Sequence, residues 1–338
     1  MRKNYSLSLI RILALFLVIF CHIFELTSYS ILGNYLAVGV QLFLPLSGYL
    51  YSHKEFEDSK SRIKFVFKNC YKILVDYYIC VIIFIVVYYF VQPECINLRS
   101  IWDILLCKSA WFGIHHLWYI PYCLMCYLIT PLLYDLKKYL KSGGGGNILS
   151  GFLIFIIAFE ILLYTYNSYF MPMRIISYII GYFLPEIKSF KKLFVLWNIS
   201  VFIAIVLNII RYKYMYVWTP EAFTGIKSEV LEFLYNYANL FLGLSLFLTI
   251  VIFLRNVDWP VWTQHIFDKT DILSYDFYLV HMIFVKGCLS LIGKLGSFIV
   301  EVLAILIVTF ISGILLHLCS NFVKKLISKT YCKSQVIK

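Results

Sequence analysis

Arg11 and His22 stand eleven residues apart in RILALFLVIFCH, a run that is otherwise almost wholly apolar. At 100° per residue that spacing is about three helical turns plus ~20°, so both side chains leave one face, ~16 Å apart along the axis. Ionisable residues inside an apolar span usually face a bundle interior or a watery cavity and mark a pathway or a site. Histidine is suited to a base that takes a proton from a hydroxyl, or to a nucleophile that carries a group. Arginine at the other end of the same lane suits an anchor for a phosphate or a carbonyl. Glu25, three residues past His22, falls near the same face and could orient the imidazole and raise its basicity. Each has a plainer account as well: Arg11 snorkelling to headgroups, His22 as a satisfied interior hydrogen-bonder, Glu25 as an interfacial carboxylate.

The elements that must hold these residues are membrane spans. The chain has 338 residues, 62% hydrophobic and 14% charged, with a mean hydropathy of +0.82, too apolar for a soluble core to hide. The predicted fold class is an all-α integral membrane protein of ten helices, over about 7–27, 34–52, 73–91, 114–134, 148–166, 171–187, 193–211, 233–254, 271–292 and 298–319. One bundle occupies 1–322 and a basic tail 323–338. The basic start MRKNYSLSL reads as the flank of a retained first span, because no small-residue cleavage site follows and Arg11 interrupts the apolar run.

With the N-terminus inside, the inner segments hold 21 of the 30 Lys and Arg residues, which places both termini in the cytoplasm. The net charge of +12 is then topology and anionic lipid rather than nucleic acid. Gly143–Gly146 makes a flexible cytoplasmic turn. The cysteines, including the Cys123–Cys126 pair, sit mostly within apolar runs and read as packing rather than as metal or disulfide sites.

Other chemistry is scattered along the spans. Lys64, Lys68 and Lys72 recur every fourth residue, a basic helical face at the inner rim suited to phosphates, or simply to positive-inside charge. FGIHHLWY puts His115, His116, Trp118 and Tyr119 near an outer boundary, as a sugar platform or an interfacial aromatic belt. His281 is deep in the ninth span, and Glu160 is an isolated mid-span carboxylate. Asp76 and His317, near the inner boundary, read as structural.

Four motifs in order resemble the acyltransferase-3 family of membrane O-acyltransferases. They are RILALFLVIFCH, GVQLFLPLSGYL (Gly39–Leu50), HHLWYIPYCLMCYLITPLL (His115–Leu133) and SYDFYLVHMIF (Ser274–Phe284), so the resemblance spans nearly the whole chain. Departures are Asn69, Lys72 and Val75 where the family usually shows an arginine pair and a proline, and Gln41, Pro45, Asp276 and Met282 within the other motifs.

The resemblance implies a cytoplasmic acyl-CoA donor such as acetyl-CoA, no bound cofactor or metal, and a hydroxyl acceptor on a glycan at or beyond the outer face of the cell membrane. Lys64, Lys68, Lys72 and Arg11 would hold the donor, and His22 with Arg11 and Glu25 would carry the chemistry. His116, Trp118, Tyr119 and His281 would meet the acceptor. A permease or flippase for a lipid-linked glycan is the alternative, though no paired halves with broken helices are evident. A glycan polymerase would show a large outer loop, which is missing.

Overall fold

The computed structural model describes residues 4–107, 114–143, 173–216 and 226–336. Among these the chain is helical, with no strand. The helices are α1 (Tyr5–Glu25), α2 (Ser30–Leu36), α3 (Gly39–Tyr51), α4 (Ser59–Val91), α5 (Leu98–Leu105), α6 (Tyr119–Lys141), α7 (Met173–Phe183), α8 (Phe190–Tyr216), α9 (Ile226–Phe253), α10 (Val261–Val285) and α11 (Phe298–Val336). Short 3-10 turns occupy Pro93–Cys95, His115–Trp118 and Leu184–Glu186.

Seven stretches among the described residues are long and apolar enough to cross a membrane: Tyr5–Glu25, Ser30–Tyr51, Ser59–Val91, His115–Lys141, Phe190–Lys213, Phe233–Phe253 and Phe298–Ser328. The span expected at 148–166, with Glu160, and Gly144–Gly146 lie outside the described residues. Of the span expected at 171–187 the described part is α7 and the 3-10 turn after it. The helix expected at 271–292 is α10, which starts ten residues earlier because Pro260 ends the preceding loop and opens the helix. Its first turns carry Asp268, Lys269 and Asp271, so only its second half is apolar.

Helix α4 likewise begins before the apolar run predicted from 73. Asp58 caps it: one carboxylate oxygen accepts the Ser61 amide at 2.7 Å, and the Ser61 hydroxyl accepts the Asp58 amide at 3.2 Å. This reciprocal cap satisfies amides left open at the helix start. The helix therefore runs through the charged segment and puts Lys64, Lys68 and Lys72 on successive turns, all exposed.

The chain divides into two compact units. The first comprises Met1–Val18, Tyr35–Glu57 and Leu128–Phe267; the second comprises Ile19–Asn34, Asp58–Tyr127 and Asp268–Lys338. In the first unit α3 is the central, largely buried helix. A Cβ at Gly48 would lie 2.1 Å from the Tyr178 carbonyl, and one at Gly181 the same distance from that of Pro45. Only glycine admits so close a crossing of α3 and α7, the small-residue packing usual between membrane helices. Pro45 and Gln41 thus gain a structural account. Pro45 is where the α7 backbone approaches, and the Gln41 side-chain oxygen accepts a 2.6 Å hydrogen bond from Ser177.

One end of this unit is rich in lysine. Lys137 and Lys141 reach Glu186 at 2.8 and 2.9 Å, and His53, Lys54, Lys138 and Lys188 line the same cavity of about 550 Å³. In the second unit α4 and α11 pack along one another. Large apolar side chains remain exposed on α4, α8 and α11, the faces that hydrocarbon would cover.

Candidate functional site

The second unit brings three histidines together from distant parts of the chain. His22 lies near the end of α1, His116 in the 3-10 turn before α6, and His281 in the apolar half of α10. The His22 and His281 rings are stacked, with centroids 5.7 Å apart and planes at 22°. His281 meets His116 edge-on at 4.8 Å, and Tyr278 flanks His116 at 5.1 Å.

Each ring is held through one nitrogen. His22 Nδ1 lies 3.1 Å from Glu25 Oε2, His281 Nδ1 lies 2.6 Å from the Tyr278 carbonyl, and His116 Nε2 lies 3.1 Å from the Leu279 carbonyl. All three partners are acceptors, so these nitrogens carry hydrogens, and in a neutral ring the opposite nitrogen is a lone pair. His116 Nδ1 and His281 Nε2 are buried with no hydrogen-bond partner. His22, at 19% side-chain exposure, is the member of the set that small molecules can reach.

Glu25 is itself firmly placed. The Lys286 ammonium donates to its Oε2 at 2.5 Å, and the Cys21 thiol donates to Oε1 at 3.4 Å. Gly33 of α2 packs against this turn: a Cβ there would sit 3.0 Å from both the Cys21 carbonyl and the Glu25 amide. Cys21, His22 and Glu25 bring potential metal-ligating atoms within 4.8 Å of one another. The Lys286 ammonium on the carboxylate already supplies positive charge there, so the donor set suits a held imidazole better than a metal ion.

The other predicted residues fall as follows. Tyr119 is buried, its ring 5.4 Å from that of Tyr278, which joins it to the histidine cluster. Trp118 is half-buried and turned towards Tyr122, 5.6 Å away. Arg11 lies on α1, one helix with His22, in the part of the chain that belongs to the first unit. Lys64, Lys68 and Lys72 are not in the cluster. Cys80 of α4 hydrogen-bonds the same Leu279 carbonyl that holds His116, so the cluster lies level with Cys80. That is ~12 Å along α4 from Lys72 and ~24 Å from Lys64.

Lys286 and Tyr278 were not singled out in the sequence. The signal for Lys286 was there, as the one lysine inside the expected 271–292 span, but its partner is 261 residues away. Asp276 and His317 do meet: His317 Nδ1 is 2.8 Å from Asp276 Oδ2, and its Nε2 is 2.8 Å from the Asn321 amide nitrogen. Beside them Lys324 pairs with Asp76 at 2.5 Å.

Among comparisons with known proteins, a family profile described as an acyltransferase domain, acyltransferase-3, matches residues 4–318. No curated protein and no solved structure matches the chain.

Proposed function

The chain belongs to the acyltransferase-3 family and is a multi-pass membrane acyltransferase; from that premise we propose that it is an O-acyltransferase moving an acyl group, most simply acetyl, from cytoplasmic acyl-CoA to a hydroxyl of a cell-surface or exported glycan. The observation that carries this reading is His22: its Nδ1 is held by Glu25, which leaves Nε2 as a bare, reachable base beside two further imidazoles.

In the proposed step the acceptor hydroxyl oxygen bonds to the thioester carbonyl carbon while its proton passes to His22 Nε2. The C–S bond then breaks, and the departing thiolate takes the proton back from the imidazolium. Glu25 fixes the tautomer and stabilises the imidazolium, as a carboxylate does behind a catalytic histidine. Lys286 holds that carboxylate in place. Direct transfer is preferred to an acyl-histidine relay because one base supplies what a single displacement needs; His281 and His116, buried behind His22, position its ring towards the acceptor, Tyr119 packs with them, and the half-buried Trp118 is the aromatic surface offered to the sugar.

The donor end is assigned to Lys64, Lys68 and Lys72. Coenzyme A is polyanionic, and these exposed lysines would hold its phosphates as point charges. The ~12–24 Å between them and the level of Cys80 is then spanned by the extended pantetheine arm. The positive-inside distribution supports a cytoplasmic position for this end and for both termini.

The test is mass spectrometry of the exported glycan from a deletion strain and from strains complemented with wild type or His22→Ala. Export of a glycan that lacks an ester group, restored by wild type alone, supports the enzyme. Loss of export itself supports the permease or flippase and sinks the acyltransfer reading.

A further inference from the structure

Arg211 carries a charge that nothing described so far uses. On α8 the exposed face is apolar, with Phe194, Ile199, Phe202 and Ile209 outward, whereas Ser200, Ala204 and Arg211 form a buried seam. Arg211 is 1% exposed, one of the largest fully buried side chains in the molecule. Its Nη1 donates to Asn239 Oδ1 at 3.3 Å, and its guanidinium lies over the rings of Tyr35 and Tyr235 at 4.4 and 5.3 Å. Nη2 has no hydrogen-bond partner, and among the described residues no carboxylate pairs with it. One turn back, Asn208 Oδ1 is also buried without a partner, its amide nitrogen being spent on the Ala204 carbonyl at 2.7 Å.

A buried guanidinium with no counter-charge among the described residues is strongly unfavourable, and two tyrosine faces with one amide oxygen offset only part of that cost. The unmet groups describe what completes the balance: an oxyanion for Arg211 Nη2 and, one turn away on the same seam, a hydroxyl donor for Asn208 Oδ1. A phospholipid headgroup would approach from the apolar outer face of α8, which is the face Arg211 turns away from. The end of the helix matters as well. Helix α8 starts beside the lysine-rich cavity and reaches Arg211 ~32 Å later, about the thickness of a bilayer core. If lysines mark the cytoplasmic side, Arg211 lies at the outer one.

We propose that Arg211, with Asn208 and Asn239, binds an acidic sugar residue of the glycan acceptor, through its carboxylate or phosphate. This rests on the glycan acceptor of the proposed function and names its chemical class.

The test is thermal unfolding of the detergent-purified full chain with glucuronate, glucose 1-phosphate, inorganic phosphate or glucose at matched ionic strength. Glucuronate, glucose 1-phosphate or both should raise the midpoint in a saturable way, and which one does so identifies the anion. Glucose should not, Arg211→Gln should abolish the response, and Asn208→Leu should weaken it several-fold. Arg211→Lys, which keeps the charge, should retain part of it and guards against a folding defect. A response that survives Arg211→Gln overturns the proposal. So does no response to either acidic sugar, an equal response to inorganic phosphate, or a response to phosphatidylglycerol micelles alone. The binding readout needs no acyl donor, so its failure and a failure of glycan acylation are separately visible.

Discussion

The second unit holds two polar clusters, and they differ in how their histidines are bonded. His317 is engaged at both nitrogens, by Asp276 and by Asn321, and has neither left open. His22, His116 and His281 are each anchored at one nitrogen only. Both clusters draw on α10 and both pair a histidine with a carboxylate. A doubly bonded imidazole is held on both sides, whereas a singly anchored one keeps a nitrogen with no bond to the protein. A His–carboxylate contact inside a membrane protein therefore says little about chemistry until the second nitrogen is followed.

The largest effect is expected at His22: replacement by Ala should lower the rate of acyl transfer by about 10²–10⁴-fold, the usual worth of a positioned base, with the protein still inserted. His281→Gln should come next, raising the acceptor KM and lowering kcat, because it removes the ring against which His22 stacks; an unchanged acceptor KM would detach His281 from the site. Glu25→Gln should cost less than His22→Ala and should displace the pH profile of kcat, since the amide can hold the ring but cannot stabilise an imidazolium. If the profile does not move, Glu25 is only packing. Lys286→Met should resemble Glu25→Gln in kind, because it frees the carboxylate from its anchor.

At the other cluster His317→Leu should spare kcat and destabilise the fold by about 1–3 kcal/mol, the cost of leaving a buried acceptor such as Asp276 unsatisfied. The smallest effect is at the helix start. The Ser61 amide and hydroxyl beside Asp58 hold its carboxyl below the usual carboxylate range. The cap should therefore persist at neutral pH and through the ordinary carboxyl titration, and be lost only as pH falls through that lowered value. Amide exchange at Ser61 should rise there and nowhere else on α4.

Much of this was legible in the sequence. The lane from Arg11 to His22 follows from helical periodicity alone, and the near-face position of Glu25 follows with it. The lysine repeat at 64, 68 and 72 remained a repeat because Asp58 extended α4 over it. His116 and His281 were marked as acceptor residues, but that they touch is a matter of tertiary packing. Lys286 and Arg211 show why the rest was hidden. Both sit near the ends of apolar runs, where a cation reads as snorkelling or boundary charge, and only the packing shows that one is bonded to Glu25 and the other is turned inward on a seam. Asp276 was noted as a departure from the family pattern; its use became visible only with His317, 41 residues on.

The most direct test compares the two kinds of histidine in one assay. Labelled acetyl transfer from acetyl-CoA to glycan would be followed in membranes carrying His22→Gln or His317→Gln at matched protein levels. His22→Gln should lower kcat by at least about a hundredfold, while His317→Gln should keep kcat near wild type and lose thermal stability. Transfer at the wild-type rate by His22→Gln, or an equal loss of kcat in the two variants, would contradict the assignment of His22 as the base.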